Sequence, residues 1–328
     1  MYSGSARHGI GHHGGTVSDT SRNYMVGVAA ILFSSAIWGT TGTAATFAPE
    51  VSAAAIGAAA MGVGGLMQAA LAGRGIMRAL PDLAGHWRNL VLGGLAVAIY
   101  PLAFYASMRL AGVTIGTVVS LGFAPALSAL IEYVFNGARL SKQWLCGALI
   151  GLAGMILIAI AKNSAHSGVE TNGSVIIGIC LGLVAALAYA LYSWTARGLM
   201  LRGIGSSVAM GATFGIGGLL LMPVLLMAGA PFLASWNNAA VGIYMAVVPM
   251  FLGYVSFGIG LARVPASMAT TITLAEPVVA ALLAVAIVGE RLPAMGWLGV
   301  ALVVSCLVVI TMPLKSSAAA TRKAAAEA

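Results

Sequence analysis

Apolar and polar positions divide this chain into ten long apolar stretches joined by short polar connections. At 1.5 Å per residue, about 20 residues cross about 30 Å of hydrocarbon, and every stretch is of that size. The pattern predicts membrane-spanning helices at Tyr24–Thr46, Ser52–Gly73, Arg88–Met108, Gly112–Phe135, Gln143–Ala161, Gly173–Ala196, Ser206–Gly229, Ala239–Gly260, Val264–Val288 and Ala294–Pro313. Connections such as Arg109–Ala111 allow only a tight reversal, and no loop is long enough to hold a soluble domain. The expected fold class is an all-α membrane protein of ten transmembrane helices. A polar, Gly/His/Ser-rich disordered tail precedes them (residues 1–23), and a short cytoplasmic tail follows (residues 314–328). His8, His12 and His13 read as part of that solvated tail rather than as a metal site.

The stretches repeat. Val118 to Leu140 reads VVSLGFAPALSALIEYVFNGARL, and Ala269 to Leu292 reads ATTITLAEPVVAALLAVAIVGERL. Pro125 matches Pro277, Gly137 matches Gly289, Arg139 matches Arg291 and Leu140 matches Leu292, all at one constant offset. Trp38 in span one likewise corresponds to Tyr189 in span six. Five spans per half is an odd number, so the second half enters the membrane from the opposite side. The expected units are therefore two inverted five-helix repeats, residues 24–162 and 163–313. In transporters built this way the substrate site sits near the midplane, between the repeats.

Composition agrees with a membrane class. The chain is 60% hydrophobic and 7% charged over 328 residues, whereas a soluble domain is about 25% charged. The net charge of +8 does not indicate nucleic acid, because the basic residues sit singly in loops without interleaved aromatics. They do indicate orientation. With the N-terminus cytoplasmic, thirteen of the 16 Lys and Arg residues fall on the cytoplasmic side, leaving only Arg109, Lys162 and Arg291 across the membrane. The positive-inside rule then places both termini inside. Cys146, Cys180 and Cys306 lie within apolar runs, have no CxxC spacing and read as small buried hydrophobes.

Candidate chemistry is concentrated at mid-depth. Glu276 is the one acid at the centre of a span, and a carboxylate there costs enough to mark a function by default. It either faces a substrate amine or coupling proton, or bonds the backbone carbonyl that Pro277 frees. Its counterpart in the first half is Ala124, so the repeat fold does not need the charge. Trp38, Tyr100, Phe104, Tyr105, Tyr189, Tyr192, Trp194 and Tyr254 lie near mid-depth, and spans one, three and six are expected to share a chamber. Ser34, Trp38 and Thr41 fall on one helical face. Thr270, Thr271 and Thr273 precede Glu276 by one to two turns; their hydroxyls bond either substrate or their own helix. Pro101, Pro125, Pro249 and Pro277 are expected to kink helices and to act as hinges. Glu132, near the cytoplasmic end of span four, is expected to reach the interface or pair with Arg139.

No HExxH, GxSxG or Walker A motif occurs, so neither an enzyme nor direct ATP use is indicated. No cofactor or metal is expected. A phosphate-bearing substrate would need midplane Lys or Arg, and none is present.

The Trp38-Gly39 pair, Glu276-Pro277-Val278, Gly289-Glu290-Arg291-Leu292 and the two five-helix halves together resemble the drug/metabolite transporter superfamily, of the EamA type. Within it the chain is similar to YddG-type exporters of aromatic amino acids. Ala124 and Ala138 depart from the cadence, standing opposite Glu276 and Glu290. The resemblance implies a secondary transporter in the bacterial inner membrane that exports amino acids or related small metabolites. It would work by alternating access through a central cavity, with proton coupling open to Glu276 and a monomer sufficient. A neutral sugar or other small metabolite, or a passive channel, is the alternative.

Overall fold

The computed structural model describes residues 17–163, 172–289 and 291–312, and every element among them is helical. Ten spans are long and apolar enough to cross a membrane: Ser21–Ala45, Ala53–Arg78, Trp87–Ala111, Ile115–Asn136, Lys142–Ala161, Gly173–Met200, Ser206–Ala228, Trp236–Leu261, Ala266–Ile287 and Ala294–Thr311. They are numbered one to ten below. Several helices outrun the expected apolar stretches. The first begins at Val17, so the tail expected through Asn23 is already helical over its last residues. Residues 1–16 and the tail beyond Met312, the three tail histidines and Glu290 lie outside the described residues.

The repeat is visible in the backbone. Span four is two helices, Val113–Gly122 and Ala124–Asn136, broken at Phe123. Span nine is broken at the corresponding place: Ala266–Ile272 ends before Thr273 and Leu274, and Ala275–Leu283 follows. Pro125 and Pro277 sit in the first turn of the second helix of each pair, where the missing N–H has no helical partner to lose. The matched glycines Gly137 and Gly289 close these spans with φ of 64° and 79°, a left-handed conformation that suits a residue without Cβ. Pro101 lies inside the helix Trp87–Ala111, which runs through it without a break. Pro249 lies in a π-helical segment, Ala246–Leu252, and a second such segment, Ala58–Val63, interrupts span two.

Close packing follows the small residues. A Cβ at Gly154 would lie 2.7 Å from the Gly299 carbonyl oxygen, and one at Gly299 would lie 2.7 Å from the Gly154 oxygen. Spans five and ten thus meet backbone to backbone, as helices in lipid do where small residues face each other. Spans one and eight are joined by hydroxyls instead. Ser34 Oγ donates to the Gly253 oxygen at 2.9 Å and Ser256 Oγ to the Ala30 oxygen at 2.9 Å. The main core combines Trp38, Tyr189, Tyr192, Phe214, Tyr254 and Phe257 with aliphatic residues of both halves. Large apolar side chains on the outer surface, among them Phe33, Leu149, Ile176 and Leu298, suit a lipid surround. Cys146 and Cys180 are exposed, not buried as expected, and Cys306 is buried.

Candidate functional site: an acid in an aromatic cavity

Span nine loses its helical path just before its proline. Pro277 cannot donate to the Thr273 carbonyl, and the backbone N–H of Glu276 takes that oxygen at 3.0 Å. The carbonyl freed by proline therefore has a backbone partner, and the Glu276 side chain does not bond it. Among the described residues its carboxylate has no hydrogen-bond or ion-pair partner, and it opens onto an internal cavity.

That cavity lies between the two halves and has a volume of about 50 Å³. Its polar and aromatic lining is Trp38, Thr41, Tyr100, Tyr105, Tyr189 and Tyr254, around Glu276. Gly57, Ala60, Met61, Pro101, Phe104 and Met250 complete it, and among the described residues no Lys or Arg lines it. The rings form one continuous cluster. Trp38 and Tyr254 have centroids 4.6 Å apart, Tyr100 and Tyr189 5.6 Å, and Phe104 and Tyr105 5.3 Å. A carboxylate among electron-rich ring faces attracts a cation, and the attraction grows as water is excluded. The volume fits one or two waters and falls short of the roughly 300–1,000 Å³ of small-molecule sites. A ligand of that size would need this cavity to widen.

Neighbouring helices hold the aromatic walls. Trp38 Nε1 donates to the Pro249 oxygen at 2.8 Å, within the π segment. A Cβ at Gly253 would lie 2.6 Å from that nitrogen. Gly253→Ala is therefore expected to push the indole off Pro249. It should destabilise the protein by about 1–3 kcal/mol, measurable as a lower thermal midpoint in detergent. Gly39 has a similar role on the other side: a Cβ there would meet the Glu276 carbonyl oxygen at 2.9 Å. The Trp38-Gly39 pair thus places a ring against the cavity and lets span one approach the backbone of the acid.

Not every expected residue reaches the cavity. Ser34 does not, because its hydroxyl is engaged with Ala30 and Gly253. The helix of span one ends at Trp38 and restarts at Thr41, so the three residues share no single helical face. Tyr192 stands behind the wall, its hydroxyl 2.8 Å from that of Tyr254. Thr273 is also one layer out, accepting from Tyr189 at 2.9 Å and donating to the Thr270 oxygen at 2.8 Å. Thr270 and Thr271 bond the carbonyls of their own helix. Pro125, Pro249 and Pro277 shape helices beside the cavity without lining it, whereas Pro101 lines it. The contribution of span two, through Gly57, Ala60 and Met61, was not apparent from sequence; its small residues carried no chemical signal.

A second polar cluster closes the Arg-rich end. Glu132 does not pair with Arg139. Its Oε1 accepts from the Ala266 N–H at 2.7 Å, and its Oε2 from the Ser267 N–H at 3.3 Å and Ser267 Oγ at 2.5 Å. A carboxylate of the first half thereby caps a buried helix start of the second. Arg197 of span six donates to the carbonyls of Leu261 and Val264, holding the turn just before that helix. Trp194, expected near mid-depth, is at this end, with Nε1 2.6 Å from Asn136 Oδ1.

Comparisons with known proteins fit this architecture. The chain is 30% identical over 282 residues to "Uncharacterized transporter YwfM" of Bacillus subtilis (strain 168), covering 86% of this chain and 92% of that one. It is 27% identical over 292 residues to a Streptantibioticus cattleyicolor protein named "Probable terminal-alkyne amino-acid exporter", covering 84% and 93%. A crystal structure 21% identical in sequence covers 88% of this chain and 96% of its own, with a TM-score of 0.67, a likeness of fold. With the profile of that family matching residues 25–160 and 176–312, one match in each half, the chain belongs to the EamA-like transporter family.

Proposed function

We propose that this protein is a secondary transporter that exports amino acids, aromatic ones foremost, by alternating access through the cavity at Glu276. The supporting observation is the unpartnered Glu276 carboxylate, set among aromatic rings at the junction of the two halves. In this reading the carboxylate meets the substrate ammonium or a coupling proton. Trp38, Tyr100 and Tyr189 contact the apolar side chain, while Tyr105 and Tyr254 complete the wall. The breaks beside Pro125 and Pro277 are the hinges. The exporter name of the 27% identical relative supports the amino-acid class. The Lys and Arg distribution supports an inner-membrane protein with both termini cytoplasmic. A monomer suffices, since both halves of the site are in one chain.

The test is uptake of labelled phenylalanine into proteoliposomes, with and without excess unlabelled phenylalanine inside. Internal phenylalanine is expected to accelerate uptake of label, which a channel cannot do. Folded protein that takes up no more label than protein-free liposomes would contradict the amino-acid assignment.

A further inference from the structure

The Arg-rich end contains a larger cavity that shares no residue with the central one. Its volume is about 340 Å³, within the range of small-molecule sites. Asn89, Asn136, Trp194, Arg197, Arg202 and Glu132 line it. The Glu132 oxygens are already occupied by three donors on residues 266 and 267. Two guanidinium groups thus share this cavity with a single carboxylate that already accepts three hydrogen bonds. Asn136 accepts from the Trp194 indole through Oδ1, which leaves its NH2 group to donate. Asn89 Nδ2 and Arg202 Nη1 converge over Gly198: a Cβ there would lie 3.2 Å from the first and 3.6 Å from the second. Arg197 commits Nη1 to two backbone carbonyls and keeps Nε and Nη2 for another acceptor.

Such a convergence of donors, with positive charge in excess, suits an oxyanion. The central cavity has the opposite character, with one acid and no base among the described residues. We propose that this outer cavity is a second binding site, which takes the carboxylate of a small metabolite before the ligand moves inward to Glu276. An amino acid carries two opposite charges, and each cavity complements one of them. That link rests on the amino-acid reading above; the carboxylate site itself does not. Glu132, which lines this cavity, also caps the helix start at Ala266, so a ligand held here sits beside a contact between the two halves.

The experiment is calorimetric titration of the full chain in phosphatidylcholine nanodiscs with two half-substrates. Phenylacetate carries the carboxylate alone, and phenethylamine the ammonium alone. Phenylacetate is expected to bind the wild type, to bind Arg202→Ala at least about tenfold more weakly, the loss expected for one charge-assisted hydrogen bond, and to bind Glu276→Gln unchanged. Arg202 is exposed in the turn after the helix Asn172–Met200, and its one side-chain hydrogen bond among the described residues is a long one to the Gly198 oxygen at 3.3 Å, so its removal is expected to leave the fold intact. Absence of phenylacetate binding, or equal binding by wild type and Arg202→Ala, would overturn the proposal. Repetition in phosphatidylglycerol nanodiscs should preserve binding; its loss there would assign the cavity to a lipid phosphate and overturn the metabolite assignment. Phenethylamine reports separately on the central site, where only Glu276→Gln should weaken it.

Discussion

Glu276→Gln is expected to leave the protein folded and to lower phenylalanine counterflow by at least about a hundredfold. The amide preserves the size of the side chain but removes the one acid that lines the central cavity among the described residues. Removing one member of a buried charge pair costs about 3–5 kcal/mol, and each 1.4 kcal/mol is a factor of ten. Among the described residues no other acid lines the cavity to substitute for it. Elution as a monodisperse peak would show that the variant is folded. Exchange at the wild-type rate would remove Glu276 from substrate recognition. Exchange retained while proton-driven accumulation is lost would instead assign the acid to coupling.

The second large effect is on stability. Glu132→Ala would leave the Ala266 and Ser267 N–H groups without acceptors in the protein interior. A buried donor stripped of its partner costs about 1–3 kcal/mol, so the loss is expected to be about 2–5 kcal/mol in thermal unfolding. Glu132→Gln retains one acceptor oxygen and should fall between. Arg139→Ala should be neutral, because Glu132 is engaged with the second half rather than with its own span. Wild-type stability in Glu132→Ala would mean that the cap contributes nothing.

The contrast between Glu132 and Glu276 indicates what could be read from sequence. Ten spans and their repeat were legible, because apolar length and the matched Pro125/Pro277 and Gly137/Gly289 pairs are local signals. Span ends were less so. Residues such as Trp87 and Arg197 remain helical beyond the apolar run, since backbone hydrogen bonding continues into the polar interface. The aromatic cavity was legible as a concentration of rings at one depth. Its second layer was not: Ser34, Tyr192 and Thr273 could bond their own helix, a neighbour or a ligand, and only packing decides among these. Glu132 illustrates the same limit. The sequence offered Arg139 a few residues away, whereas its partners are in the other half. The π segment at Pro249 accepts the Trp38 indole and likewise depends on a tertiary contact.

The central claim is a carrier whose two ends open in turn around Glu276. Spin-label pairs would test it most directly: Arg139 with Arg263 at the Arg-rich end, and Thr46 with Trp236 at the other, each pair spanning the two halves. The native cysteines would be replaced and distances measured in nanodiscs with and without phenylalanine. Opening of one end is coupled to closing of the other in this account, so phenylalanine should lengthen one distance distribution while shortening the other. Both distances fixed, or both lengthening together, would contradict alternating access.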